Sequence, residues 1–123
     1  MKYVMLIYET PADFEARQHR ADSPYFAAWR AYYRALVAEG AYVSGAPLKE
    51  VATGTTVRVR DGKRHVQDGP FAEAKEQLGG FIILELPTLD AALAWAARCP
   101  AAATGMLEVR PMAVDVHDDI VQA

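Results

Sequence analysis

Two runs of the chain, residues 3–8 and 81–86, are apolar at nearly every position. Apolar side chains on both faces are typical of a strand that lies inside a sheet and is covered on two sides. A third, less regular run, residues 41–48, contains Gly45 and Pro47, which interrupt a regular strand. We therefore predict that the first two runs are central strands and that the third is an edge strand.

A fourth strand is predicted over residues 105–111, where apolar and charged positions alternate. Leu107 and Val109 share one face, and Met106, Glu108 and Arg110 share the other, so that two charges stand where core residues are expected. Charged side chains on a strand need a partner, and this glutamate and arginine can supply one for each other.

Two helices are predicted from their caps and from the spacing of their apolar residues. Ser23 supplies an N-cap hydroxyl and Pro24 occupies the first helical position, while Gly40 supplies the cap at the other end. Thr88 caps a second helix over residues 89–99.

Two polar segments carry weaker signals. Residues 10–22 are charged and follow no clear period, so they are predicted to form a loop with at most a helical turn. The tail from Asp115 is rich in aspartate and is predicted to fray or to reach a partner.

A β-hairpin is predicted between the edge strand and the second central strand. Its strands are Thr55–Arg60 and Lys63–Asp68, and Asp61 and Gly62 form a type I′ turn. The two-residue turn sets the register, and the valines then share one face, which carries Val57, Val59 and Val66. The other face carries Arg58, Arg60 and His65.

Without the hairpin, the predicted order is strand, helix, strand, strand, helix, strand. This is the ferredoxin-like βαββαβ order of an α+β fold, in one domain spanning residues 1–123. Both helices cover the same face of such a sheet. The other face is apolar and must be covered as well, which predicts a partner.

The segment from residue 68 to residue 80, D-G-P-F-A-E-A-K-E-Q-L-G-G, resembles the signature of the DGPF-domain subgroup of the YCII-related family. The opening M-K-Y-V-M-L-I-Y, the T-T-V-R-V-R-D-G-K at 55–63 and the E-V-R-P at 108–111 agree with this resemblance. It implies a homodimer in which two sheets pack face to face as a dimeric α/β barrel, with the hairpin as an insertion.

Some YCII-like relatives carry a histidine on the first helix and an aspartate at the end of the second, interpreted as an acid–base pair. This chain has Trp29 and Cys99 near those positions, so the pair is not carried over. Cys99 itself is interpreted as a packing residue, since a helix C-terminus disfavours a thiolate.

Composition excludes several classes of function. A net charge of −3 does not favour nucleic-acid binding, and no apolar run is long enough to span a membrane. The three histidines are scattered and there is one cysteine, so no metal site is predicted. The sequence contains no nucleotide-binding motif, so no cofactor is predicted. The lone cysteine and the short first apolar run, which ends at Glu9, favour the cytoplasm.

Charged residues on apolar strands are the first candidates for chemistry. Arg110 with Glu108 is predicted to bind an anion or carboxylate, and Asp68 or Glu85 to act as the acid–base group. The alternative is an ion pair at the dimer interface. His65 is a candidate base at neutral pH, although a residue on an exposed hairpin face is more often plain surface.

The remaining ligand-binding candidates are Arg58, on the hairpin, and Glu73 and Lys75, in the signature segment. We expect the signature loop either to be purely architectural or to cover a polar pocket within reach of Arg110. Three functions follow. The first is a cofactor-independent enzyme of lyase or isomerase type that acts by proton transfer on a small organic acid. The others are a non-catalytic small-ligand sensor and a regulatory interaction protein linked to sigma-factor signalling, as the resemblance implies.

Overall fold

The structure is a computed structural model that describes residues 1–70 and 75–122. The strands of the described residues are β1 Lys2–Glu9, β2 Tyr42–Pro47, β3 Thr55–Arg60, β4 Lys63–Asp68, β5 Gln77–Glu85 and β6 Met106–Pro111. The helices are α1 Pro11–Gln18, α2 Pro24–Ala38, α3 Leu89–Arg98, α4 Ala101–Thr104 and α5 Val114–Gln122, with a short 3-10 turn at Val51–Thr53.

The main sheet has the order β2-β5-β1-β6, and all its neighbouring strands are antiparallel. This order agrees with a ferredoxin-like α+β fold, with β1 and β5 in the centre as their apolar sequences predicted. Strands β3 and β4 form a separate two-stranded sheet. The hairpin is therefore an insertion between the second and third strands of the main sheet.

The core lies between the sheet and helices α2 and α3. Its largest fully buried side chains are Met5, Leu36, Ile82 and Leu84, each contributing about 1.5–3 kcal/mol by leaving water. The hydroxyl of Tyr32 donates to the Trp95 carbonyl at 2.7 Å, which links the two helices. Burial raises the pKa of Tyr32, so this hydroxyl remains a donor.

The opposite face of the sheet carries half-buried apolar residues from both central strands. We call it the open face and define it by Val4, Leu6, Tyr8, Phe81 and Ile83. Its residues alternate along β1 with the buried ones, so β1 is covered by helices on one side. Within residues 1–70 and 75–122, the apolar side chains on the second side remain partly exposed.

The segment at residues 10–22 was predicted as a loop, and this prediction is wrong, because α1 occupies most of it. Thr10 accepts a hydrogen bond from the Asp13 amide at 3.2 Å, and Asp13 accepts one from the Thr10 amide at 3.0 Å. This capping box, followed by Pro11, starts the helix despite its polar sequence. Thr104 also donates to the buried Asp13, at 2.8 Å, and so ties α1 to α4.

The hairpin has the predicted bounds and register. Val57 faces Val66 and Arg58 faces His65 across the two strands. Asp61 and Gly62 have φ values of 52° and 73°, which the type I′ turn requires. The tail from residue 114 forms α5, a helix of which no residue is buried.

Candidate functional site

A cavity of about 480 Å³ opens on the helix side of the sheet, between α1, α2 and the ends of β1 and β5. Aromatic side chains of α2 and arginines of both helices form much of its wall. Its lining residues are Ile7, Glu9, Arg17, Arg20, Phe26, Trp29, Arg30, Tyr33, Arg34, Ala46, Pro47, Gly79 and Gly80. Such a volume suits a small organic molecule.

Glu9 is the carboxylate of this cavity, and the pleat of β1 places it there. Tyr3, Met5 and Ile7 alternate along the strand and are buried under the helices, and Glu9 continues the same alternation. Only 2% of Glu9 is exposed. A buried carboxylate must find donors or lose its charge.

Two donors reach Glu9. The hydroxyl of Tyr25, in the first turn of α2, donates to Oε2 at 2.5 Å. The guanidinium of Arg17, in the last turn of α1, lies 3.2 Å from Oε1 and also faces the Gly79 carbonyl at 3.5 Å. Because α1 and α2 each contribute one donor, both helices must be in place for the carboxylate to be held.

Burial raises the pKa of Glu9 above its ordinary value. The Tyr25 hydrogen bond and the Arg17 charge oppose this shift without cancelling it, and the charge of nearby Asp13 adds to it. Burial and the bond to Glu9 also raise the pKa of Tyr25, which therefore stays protonated. Burial raises the pKa of Tyr33, on the same wall, to about 12.

The glycines at positions 79 and 80 make room for this arrangement. A Cβ atom on Gly79 would fall 2.0 Å from Glu9 Oε1, so any side chain there would displace the carboxylate. A Cβ on Gly80 would fall 2.8 Å from the carbonyl oxygen of Ala46 on the neighbouring strand. The pair ends the signature segment and lies within β5, where it forms one wall of the cavity.

Positive charge surrounds the opening. Arg20 and Arg30 place their guanidinium carbons 5.7 Å and 5.3 Å from the centre of the Phe26 ring, and Arg34 lies on the same side. The indole Nε1 of Trp29 is buried with no hydrogen-bond partner, although it is close enough to Tyr25 to lower that hydroxyl's pKa. The cavity thus combines flat aromatic walls, cationic groups and one acid of raised pKa. It is suited to a planar anion and to proton transfer.

The structure places the sequence-predicted site residues elsewhere. Glu108 and Arg110 are brought together as an ion pair on β6, and this contact raises the pKa of Arg110. Arg110 pairs in register with Val4, on the open face, and so lies across the sheet from the cavity. Glu85 is exposed at the end of β5, 3.5 Å from the amino group of Met1. None of these three residues lines the cavity.

The hairpin candidates form a second, separate group. His65 and Arg58 face each other across the strands, and Asp68 is exposed at the end of β4. Lys75 is exposed, while Glu73 lies outside the described residues. None of these described side chains lines the cavity, so the pocket expected between the signature loop and Arg110 is not this one.

Cys99 agrees with the packing interpretation made from the sequence. Its side chain is buried in the core, and burial raises the pKa of the thiol to about 12. Within residues 1–70 and 75–122, no cluster of three or more histidine, cysteine or acidic residues has an arrangement that would hold a metal. In the same residues, no helix has the length and apolar character needed to cross a membrane.

Sequence reasoning missed Glu9, Arg17 and Tyr25. Arg17 lies in the segment predicted as a loop, and Tyr25 lies in the helix predicted from Ser23 and Pro24, where it was given no role. For Glu9 a signal existed, because it has the same parity along β1 as the buried Met5 and Ile7.

Comparison with known proteins adds three findings. A family model described as the YCII-related domain matches residues 1–114. An uncharacterised protein of Rhizobium meliloti (strain 1021) is 35% identical over 116 residues, covering 93% of this chain and 94% of that protein. The structure of 5-chloro-2-hydroxyhydroquinone dehydrochlorinase from Burkholderia phenoliruptrix AC1100, in complex with 2,5-dihydroxybenzoquinone, has a TM-score of 0.52 and 18% identity. That match covers 91% of this chain and 93% of the neighbour, and at this identity the likeness supports the fold alone.

Proposed function

The chain belongs to the family of YCII-related domains, and from this premise we propose that it is a cofactor-independent enzyme that transfers a proton on a small planar organic anion. The observation that carries the proposal is the buried Glu9, whose pKa is raised, in an aromatic cavity lined by four arginines. The reaction class is that of a lyase or isomerase. In such reactions a positioned acid or base moves a proton without a redox step.

Glu9 is the acid–base group in this proposal. A raised pKa brings a carboxyl group closer to neutral pH, where it can both give and accept a proton. The proton passes between Glu9 and the substrate, and the carboxylate left behind is stabilised by Tyr25 and Arg17. Arg30 and Arg34 attract the anion to the opening, while Phe26 and Trp29 contact the flat part of the substrate.

The dehydrochlorinase neighbour supports this choice of substrate class. Its ligand, 2,5-dihydroxybenzoquinone, is a flat ring with acidic hydroxyl groups. A molecule of that shape and charge matches the aromatic walls and cationic opening of the cavity. We therefore expect hydroxylated aromatic or quinonoid acids to be better ligands than aliphatic ones.

A second candidate is a sensor that binds the same class of ligand without converting it. Glu9 favours this alternative in one respect, since both of its oxygens already have donors within the protein. Among the described residues that line the cavity, Glu9 is also the one carboxylate. An enzyme that needs separate acid and base groups would have to use Glu9 for both steps, or use water.

The proposal includes a homodimer, formed by packing two open faces together, and a cytoplasmic location. The apolar residues of the open face support the first, and the single reduced cysteine supports the second. Sheet-to-sheet packing would bury the face that the helices leave uncovered, on the order of 1,000 Å² or more in total.

The test is a calorimetric screen of planar aromatic and aliphatic acids, followed by turnover assays on the best ligand. We expect Arg30→Gln to weaken binding about tenfold and Glu9→Gln to keep binding but to lower turnover by about 10²–10⁴-fold. Arg98→Gln is the matched control, because Arg98 also stacks on an aromatic ring, at 4.1 Å from that of Trp95, but does not line the cavity.

Each outcome separates the candidates. Ligand binding without turnover in the wild-type protein favours the sensor. The proposed site is contradicted if Glu9→Gln turns over its substrate at the wild-type rate. It is also contradicted if Arg30→Gln and Arg98→Gln lose binding affinity equally.

A further inference from the structure

The hairpin carries an uncovered apolar face. Val57, Val59 and Val66 share it, and 59%, 59% and 55% of these residues are exposed. An isolated two-stranded hairpin is at best marginally stable in water, and three neighbouring exposed valines add an apolar patch. Arg64, opposite Val59, shares this face. We call these four residues the valine face.

Helix α5 carries a second uncovered apolar stripe. Val114, Val116, Ile120 and Val121 lie within an arc of about 160° when projected down the helix. Their exposed fractions are 39%, 53%, 73% and 66%. Since α5 buries no residue, the stripe has no cover within the described chain.

The charges of the two segments are opposite. The hairpin strands and turn contain four arginine or lysine residues against two aspartates, whereas α5 contains three aspartates and no lysine or arginine. Asp118 and Asp119 flank the apolar stripe on its two sides. The two segments therefore match in apolar surface and in overall charge, and Arg64 is the basic residue of the valine face, with Asp68 on the same side of the hairpin.

The topology separates these two surfaces within one chain. The hairpin follows β2, at one edge of the sheet, and α5 follows β6, at the other edge. A two-fold axis between two stacked open faces, parallel to the strands, places the β2 edge of one copy over the β6 edge of the other. Each copy then brings its α5 towards the partner's hairpin.

We propose that α5 of each copy docks its apolar stripe on the valine face of a second copy, so that two equivalent clasps close the dimer. This inference rests on the dimer proposed above, which it makes more specific. Asp118 or Asp119 then lies near Arg64, the basic residue of the valine face. The contact covers both apolar surfaces and supports the hairpin, which pairs with no further strand among the described residues.

Cysteine cross-linking tests the contact in the full chain. Val59→Cys and Ile120→Cys are placed on separate chains of different mass, the chains are mixed and allowed to exchange, and the mixture is oxidised. The clasp brings residue 59 of one copy close to residue 120 of the other, so a disulfide between the two different chains is expected. Such a bridge forms only when the two Cα atoms lie within about 7 Å of each other. Val37→Cys on α2 replaces Val59→Cys in the control mixture, since Val37 is 61% exposed but lies outside the proposed contact. The native Cys99 is buried and stays in place.

A charge exchange provides an independent test. Asp119→Lys and Arg64→Glu should each raise the dimer dissociation constant several-fold, and the double variant should restore it. The effect of each single change should shrink at high salt.

The outcomes distinguish the clasp from the dimer itself. A dimer that is disrupted by Phe81→Asp but gives no mixed disulfide overturns the clasp alone. A monomeric wild-type protein overturns both proposals. Cross-linking of Val59→Cys chains with one another shows that two hairpins meet instead, and equal cross-linking by Val37→Cys shows that the contact is not specific; either result contradicts the clasp.

Discussion

Replacing Glu9 by glutamine should change how the stability of the protein depends on pH. Glu9 is 2% exposed, and burial outweighs its two donors, so its pKa in the folded chain lies above the ordinary value of 4.5. In the unfolded chain the carboxyl group is in water and has its ordinary pKa. The folded wild-type protein therefore binds a proton more tightly than the unfolded chain does.

This difference in pKa fixes the direction in which the stability changes with pH. Below about pH 4 both states are protonated and Glu9 adds no pH dependence. As the pH rises from 4.5 to the raised pKa of the folded state, the wild-type protein loses stability, and above that pKa the loss is constant. For each unit by which folding raises the pKa of Glu9, the free energy of unfolding above that pKa is lower by about 1.4 kcal/mol. Glutamine does not titrate, so Glu9→Gln lacks this loss.

The measurement is equilibrium unfolding in denaturant from pH 4 to pH 8, followed by tryptophan fluorescence. The free energy of unfolding of wild type minus that of Glu9→Gln should fall as the pH rises through this window and then level off. Glu85→Gln is the control for a glutamate-to-glutamine change outside the cavity, since Glu85 is an exposed carboxylate on a strand of the same sheet. A difference that is flat for Glu9→Gln, or one that grows with pH, would refute the reasoning.

Three further results are expected. Gly79→Ala should lower ligand affinity at least tenfold while the fold persists, because its Cβ would fall 2.0 Å from Glu9 Oε1 and displace the carboxylate. Unchanged affinity would contradict the site. Phe81→Asp should convert the dimer to a monomer by light scattering, since it puts a charge on the open face, and an unchanged mass would argue for another interface. Cys99, with a pKa of about 12, should react with iodoacetamide at pH 8 at least 100-fold more slowly in the folded than in the unfolded protein, and fast native labelling would show that the thiol is accessible.

Much of the fold followed from local patterns in the sequence. The two most apolar runs became the central strands, and Ser23 and Thr88 cap α2 and α3. The hairpin was predicted to the residue, because a two-residue turn leaves a single register. These features are specified within a few residues, so a reader of the sequence needs no tertiary information to find them.

The errors lie where tertiary contacts decide. Helix α1 has little apolar periodicity, and its capping box uses Asp13, where glutamate or glutamine is the usual partner. Strand β5 begins at Gln77, not at residue 81, because Gly80 pairs with Ile7 and Pro47, and Leu78 and Gln77 continue the pairing with β1 past an irregularity at Gly79, although glycine disfavours a strand. Missing α1 removed Arg17 from consideration, so the carboxylate that it holds was missed as well.

Strand parity distinguishes the charged residues predicted as site candidates from the carboxylate that lines the cavity. Glu85 and Glu108 were predicted as site residues because they are charges on apolar strands. In the structure Glu85 is exposed beside the Met1 amino group, and Glu108 forms an ion pair with Arg110. Glu9 was treated as the point where the first apolar run ends. Counting in steps of two from Met5 would have placed it on the buried face, where a carboxylate has a larger energetic effect.

The signature segment contributes to the cavity through its glycines. Its charged residues suggested a loop over a pocket, but among its described residues the glycines at 79 and 80 are the ones that line the cavity. Each is required by a different neighbour, Gly79 by the Glu9 carboxylate and Gly80 by the Ala46 carbonyl. A side chain at position 79 would move the acid, whereas one at position 80 would push apart two strands. The segment therefore contributes to the proposed site through the absence of side chains at its end, and a search for sites by charge alone overlooks such a contribution.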